Sequence, residues 1–186
     1  YRGDIQGMYI NYRGFFCADP VNRDYKFKKL NYQFTKFDFV GVGEAHVDTA
    51  KCAVFNATNS HEPSYNFWLS GEGGGDGGLG ILITKKFAEQ FTRFGVTEVS
   101  AQRCFRLTLV GPQGALDLDT VYANPYSRAH RVQMYHDIKS VMKPQNERLT
   151  ILIGGWNFVE SDVDRINNTS QLYTGHSNVD EAKEFN

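Results

Sequence analysis

Apolar and polar positions alternate along this chain with two different periods. Gly7-Met8-Tyr9-Ile10-Asn11 predicts a short strand closed by a turn at Arg13-Gly14. Asp19 and Pro20 open a segment in which Tyr25, Leu30, Phe34 and Phe37 approach helical spacing. The run Asp38-Phe39-Val40-Gly41-Val42-Gly43-Glu44 predicts a second, buried strand that ends on a carboxylate. A polar, glycine-rich passage follows, and residues 80–84 predict another strand. Residues 85–94 are predicted as a short helix stopped by Gly95. Residues 106–110 and 116–122 flank Gly111-Pro112-Gln113-Gly114, which is a hairpin signature. Ser127 can cap a helix over residues 128–142, with Val132, Tyr135, Ile138 and Met142 on one face and Pro144 ending it. Residues 149–153 (Leu-Thr-Ile-Leu-Ile) have the composition of a fully buried strand, which lands on Gly154-Gly155-Trp156-Asn157. Hairpins mixed with strand–helix–strand units predict an α/β domain with mixed sheets.

Composition narrows the function classes. At 186 residues the chain fits one domain, and no linker or repeat marks a second. Hydrophobic residues at 41% and charged residues at 22% exclude intrinsic disorder. No apolar run approaches the ~20 residues that a membrane-spanning helix needs. Twenty basic residues against 21 acidic give a formal charge of −1, which argues against a nucleic-acid coat or tail. An enzyme touching nucleic acid on one face stays open. Cys17, Cys52 and Cys104 are widely spaced and form no CxxC pair, so neither zinc nor a disulfide framework is expected, and the setting is expected to be intracellular. The first residue is Tyr1 with no apolar signal stretch after it, as in a trimmed chain. The triplets Asn56-Ala57-Thr58 and Asn167-Asn168-Thr169 match a glycosylation acceptor at chance frequency.

Seven of the 18 glycines fall between Gly71 and Gly80. Such a run cradles phosphate when it leads into a helix N-terminus with the appropriate spacing. This one enters a strand, so it is predicted to be a flexible surface loop.

Polar side chains recur at the ends of the apolar strands: Asn11, Glu44, Tyr122 with Asn124, and Asn157 after Trp156. Each one alone is consistent with a turn or a backbone cap. Four strand ends in one register define a candidate crevice, because sheets fix geometry there and loops leave access.

In their order along the chain, the motifs Met8-Tyr9-Ile10-Asn11, Phe39-Val40-Gly41-Val42-Gly43-Glu44-Ala45-His46, Leu79-Gly80-Ile81-Leu82-Ile83, Val121-Tyr122-Ala123-Asn124-Pro125 and Ile151-Leu152-Ile153-Gly154-Gly155-Trp156-Asn157 resemble the endonuclease/exonuclease/phosphatase superfamily. The stretch from Phe158 to Arg165 resembles the apurinic-endonuclease-like domain of non-LTR retrotransposons. The resemblance covers nearly the whole chain but only about the first two-thirds of such a domain, so residues 1–186 are expected to be a single, truncated domain of this kind. It implies a DNase I-like sandwich of two mixed sheets flanked by helices, without its C-terminal strands. It further implies a magnesium-dependent phosphodiesterase site acting on DNA. By that match Glu44 would be the metal ligand, and Asn11 would help hold the metal and phosphate region. Tyr122 would sit near the scissile phosphate, and Asn157 would orient the attacking water or the phosphate. Asn124, in a loop that varies across the family, is included as a substrate-binding position.

Two departures from the pattern bear on activity. The family motif reads Gly-Asp-x-Asn, and here Gly155 stands where the Asp would position or deprotonate the water. The family also closes with an Asp-His pair, and His176 has neither an Asp beside it nor a strand before it. Asp162 and Asp164 belong to a different motif, His46 beside Glu44 fits a site-lining residue, and His61, His130 and His136 read as surface histidines. The expectation is therefore a degenerate, inactive nuclease-like domain. The alternative is a structural or protein-interaction subunit on the same fold, with other subunits covering an open sheet edge. A phosphatase of lipids or small phosphoesters fits the retroelement-like stretch least.

Overall fold

A computed structural model describes residues 4–48, 50–51, 53, 64–71 and 77–157. The elements in chain order are β1 (Gly7–Asn11), α1 (Pro20–Gln33), β2 (Phe39–Gly43), β3 (Ser64–Leu69), β4 (Leu79–Thr84), α2 (Lys85–Ala88), β5 (Arg93–Ser100), β6 (Cys104–Gly111), β7 (Gly114–Tyr122), α3 (Arg128–Val141) and β8 (Leu149–Gly155). Local chemistry accounts for the helix starts. Asp19 accepts the Val21 N–H at 3.0 Å with Pro20 behind it, so α1 opens on a side-chain cap and a residue already set for helical φ. Ser127 accepts from His130 N at 3.3 Å and begins α3 in the same way.

The strands form two four-stranded sheets, ordered β1-β2-β4-β3 and β5-β6-β7-β8. Within the first, β1 and β2 run parallel, while β4 is antiparallel to both β2 and β3. Within the second, β5, β6 and β7 are antiparallel and β8 joins β7 in parallel. Period-2 alternation sends one set of residues into the space between the sheets. Phe39, Leu79, Ile81 and Ile83 there meet Phe105, Leu107, Leu109, Leu116 and Leu118, all essentially buried. The opposite faces are covered by helices. Val40, Val42 and Leu82 pack with Leu30 of α1 and with Tyr12, Phe15 and Phe16. Cys104 and Val121 pack with Met134, Tyr135 and Ile138 of α3. The result is the helix–sheet–sheet–helix sandwich with mixed sheets that the resemblance implies.

Three sequence expectations change. The predicted helix over residues 85–94 stops after Ala88, because Phe91 turns back into the core and residues 93–100 pair along β6 as β5. Gly95 therefore lies within a strand, opposite Thr108, and is not a helix stop. The buried face of α3 is carried by Arg131, Met134, Tyr135 and Ile138, whereas Met142 is 43% exposed beyond the helix end. The passage after β2 contains β3, whose Tyr-Asn-Phe-Trp-Leu composition suits a pleated, half-buried surface. His130 and His136 are exposed, as expected. The triplets at Asn56 and Asn167, Cys52, His61, residues 72–76 of the glycine run, residues 158–165 with Asp162 and Asp164, and His176 lie outside the described residues. Among the described residues no helix is long and apolar enough to cross a membrane.

Beneath α3 the second sheet buries charge. Arg106 on β6 donates from Nε and Nη2 to the two carboxylate oxygens of Asp119, both at 2.8 Å, and from Nη1 to the Val141 carbonyl at the end of α3 at 2.8 Å. Asp117, also fully buried, takes the Thr108 hydroxyl at 2.7 Å and sits 3.3 Å from Arg106 and 3.4 Å from Arg148. Burial pushes the Asp119 carboxyl upward, and the two bonds from Arg106 pull it back toward the charged form. Arg106→Ala should cost about 3–5 kcal/mol, because it strands buried carboxylates. An Arg106→Met/Asp119→Leu pair should cost much less, and urea unfolding of the two variants measures the contrast.

Candidate functional site at the strand ends

The C-terminal ends of β1, β2, β7 and β8 face one another across the two sheets. Asn11 lies beside Gly43 in the first sheet, and Tyr122 lies beside Gly155 in the second. The sheets come close at this end because β2 carries glycine at its inward positions. A Cβ on Gly41 would collide with the Ile153 side chain, and one on Gly43 with the Tyr9 hydroxyl.

Glu44 follows directly in the left-handed region, at φ +49°, and His46 repeats this at φ +52°. Such backbone is costly for residues other than glycine and is held here from both sides. The Glu44 carbonyl accepts from Gly14 N at 2.6 Å and the Ala45 carbonyl from Phe16 N at 2.9 Å. On the other side, Ala45 N and His46 N donate to the carbonyls of Gly78 and Gly77, at 3.0 and 2.8 Å. The end of the glycine run is thus tied to the segment that presents Glu44.

The Glu44 carboxylate reaches across the gap and accepts the Tyr122 hydroxyl in a short hydrogen bond. Burial, followed by that bond, pushes the Tyr122 phenol up to about 12, against the opposing pull of Asn157 and of Arg103, whose guanidinium lies 5.8 Å from the ring centre. At neutral pH Tyr122 is therefore a fixed donor. Asn157, in the left-handed region at φ +53°, donates from its amide to the Ala123 carbonyl at 2.5 Å and also bears on the Tyr122 hydroxyl. Tyr9 projects from β1 into the same gap. Its hydroxyl is buried with no hydrogen-bond partner among the described residues, and burial first, then Tyr122 and Glu44, push its ionisation far upward. The Gly155 N–H lies near enough to oppose that shift without making a hydrogen bond of ordinary geometry. Gly155 itself faces the cluster: a Cβ there would lie 3.2 Å from the Tyr9 hydroxyl and 3.4 Å from the Tyr122 ring.

Of the residues selected from sequence, Glu44, Tyr122 and Asn157 come together. Asn11 stands at the rim on the adjacent strand end, its Oδ1 accepting from Arg13 N at 3.0 Å. Asn124 lies one turn away, with Oδ1 accepting from Tyr126 N and Ser127 N at 2.8 and 3.0 Å, so its amide builds the turn into α3. The His46 ring is half-buried and stands against Gly14, where an added Cβ would lie 3.1 Å from Nδ1. Sequence reasoning missed Tyr9 and Arg103. The alternation of β1 could have flagged Tyr9, which sits between two outward aliphatic residues, whereas nothing local marks Arg103.

The donors that could meet a cation are the Glu44 carboxylate and the Asn11 amide oxygen. Among the described residues no three His, Cys, Asp or Glu side chains converge, so they make no closed cation cage. One hard carboxylate with one amide oxygen leaves most of a cation's coordination to water, which is the kind of donor set that suits a largely hydrated Mg²⁺.

Comparison with known proteins finds the same fold elsewhere. No family model and no curated protein matches the sequence. Among solved structures, an AP endonuclease from Archaeoglobus fulgidus aligns over 98% of this chain and 68% of its own, with TM-score 0.68 and 12% identity. A 3′ phosphatase, NExo (D146N) from Neisseria bound to product DNA hairpin, aligns over 98% of this chain and 69% of its own (TM-score 0.60, 14% identity). The APE2 catalytic domain of Xenopus laevis aligns over 88% and 61% respectively (TM-score 0.60, 13% identity). The chain thus has the fold of these endonuclease/exonuclease/phosphatase-type domains and spans about two thirds of their length.

Because the folded Tyr122 phenol ionises near 12 rather than 10, its contribution to stability is intact below pH 10 and is lost as pH rises through 12. Unfolding midpoints should fall across that window, and Tyr122→Phe should make the fall shallower. An unchanged slope in the variant would contradict the burial and bonding assigned to this hydroxyl.

Proposed function

We propose that this chain carries the phosphodiester site of a retroelement-type endonuclease domain whose hydrolytic step is disabled at Gly155. The observation that carries the reading is the convergence of Glu44, Tyr122, Asn157 and Gly155 at one end of a fold shared with an AP endonuclease and a DNA-bound 3′ phosphatase. Glu44, with Asn11 beside it, would hold Mg²⁺. When bound, the ion would offset negative charge on the phosphate oxygens. The remaining roles belong to the chain. Tyr122 would sit near the scissile phosphate as a neutral phenol whose one proton is donated to Glu44, so it orients that carboxylate and adds no phenolate charge beside the phosphate. Asn157 braces that hydroxyl and the Ala123 carbonyl, which sets the orientation of both.

What is missing is an acceptor for the proton of the attacking water. Glycine has none, and general-base assistance is worth about 10²–10⁴ in rate. The backbone does not forbid the missing group, since Gly155 is not among the glycines at positive φ and its added Cβ meets only side chains, at 3.2 Å and beyond. A protein-docking role on the same fold is the second reading. It is favoured by Tyr65, Phe94 and Val96, which are 49%, 43% and 52% exposed where β3 and β5 end their sheets.

Nicking of supercoiled plasmid in Mg²⁺ tests the first reading. The chain should be silent, and Gly155→Asp should add measurable nicking that Glu44→Ala then removes. Mg²⁺-dependent nicking by the unaltered chain that Glu44→Ala abolishes would overturn the disabled step. If Gly155→Asp gains neither nicking nor Mg²⁺ affinity, the docking reading gains.

A further inference from the structure

The first helix combines charge and exposed aromatic surface. Residues 20–36 hold Arg23, Lys26, Lys28, Lys29 and Lys36 against Asp24 alone, a local charge of +4 in a chain whose total is −1. The helix buries Leu30 and turns Tyr25 and Tyr32 outward, 63% and 57% exposed, with Val21 above them at 77%. At 100° per residue Tyr25, Lys29 and Tyr32 fall on one stripe, the tyrosines about 10 Å apart along the axis, and Lys36 follows in the turn just past the helix. The Lys36 ammonium lies 4.8 Å over one face of the Tyr32 ring, which places a positive charge beside the exposed tyrosine.

We propose that the outer face of α1 binds single-stranded nucleic acid, with bases stacking on Tyr25 and Tyr32 and phosphates meeting Lys29 and Lys36. Charge complementarity selects this occupant. Two copies of the chain meeting through this face would oppose like charges, and a bilayer would ask for a deeper apolar face than Val21 alone supplies. A duplex keeps its base faces stacked and offers nothing for exposed rings to cover, whereas a single strand offers a base face at every position. The inference does not rest on the reading of Gly155. Oligonucleotide binding and plasmid nicking are separate measurements, and either can fail alone.

Fluorescence anisotropy of a short labelled oligothymidylate, alone and annealed to its complement, tests the proposal on the full chain. The single strand should bind more tightly than the duplex. Tyr25→Ala/Tyr32→Ala should weaken single-strand binding about tenfold or more, since stacking on an aromatic ring is worth about 1–3 kcal/mol per base. Tyr25→Phe/Tyr32→Phe should bind as the unaltered chain does, which keeps the test valid if the alanine pair folds poorly. Lys29→Gln/Lys36→Gln should flatten the dependence of log affinity on log salt by about 1.4, at about 0.7 per phosphate. Equal binding of strand and duplex, no loss in the alanine pair, or loss in the phenylalanine pair would each overturn it. So would binding to phosphatidylserine vesicles in place of the oligonucleotide.

Discussion

The arrangement of polar groups depends on how closely two sheets approach at one end. Sandwiched sheets ordinarily stand about 10 Å apart, a gap filled by side chains from both inner faces. Here β2 withholds side chains at Gly41 and Gly43, so Ile153 of the opposite sheet and Tyr9 of the neighbouring strand occupy the space. That approach lets the Tyr122 hydroxyl span 78 positions of sequence to reach Glu44. A larger residue at 41 would press on Ile153 of the opposite sheet, and one at 43 would displace Tyr9 within its own sheet.

The left-handed backbone at Glu44 follows from the same crowding. A strand continuing past Gly43 would carry its next side chain away from the gap, and the turn at φ +49° aims the carboxylate into it. The backbone bonds from Gly14 and Phe16 on one side and to Gly77 and Gly78 on the other hold that turn. Two loops far apart in sequence therefore converge on one carboxylate, the kind of strain that a rigid scaffold can sustain.

Strands and helices with strong periodicity were legible in the chain, as were the caps at Asp19 and Ser127 and the hairpin around Pro112-Gln113. β3 and β5 were not. Both end their sheets, and β5 is largely exposed, so its apolar residues show no clean alternation between a buried and a wet face. Gly95 looked like a helix stop because propensity alone cannot see the antiparallel partner that recruits it. At the candidate site, the strand-end residues could be picked from sequence, but their fates could not. Asn124 and Asn157 are the same residue type; one folds its amide into a turn, and the other braces Ala123 and Tyr122. Charge shows the same limit. A formal total of −1 averages a basic helix against acidic residues elsewhere, and the average conceals the segregation that matters for a polyanion.

The buried Arg106–Asp119 pair has a consequence for how the second sheet finds its alignment. Strand pairing repeats every two residues, so β6 could slide along β7 by a pair and still present aliphatic side chains to the core. In that slipped sheet Arg106 would face Asp117 or Val121, and at least one buried carboxylate would lose its bidentate partner. Uncompensated charge in the interior costs several kcal/mol, as much as a large share of a domain's whole stability. The pair thus works as a molecular key. It adds little net stability to the correct sheet and makes the misaligned ones expensive, so Arg103, just before β6, arrives against Tyr122 at the end of β7.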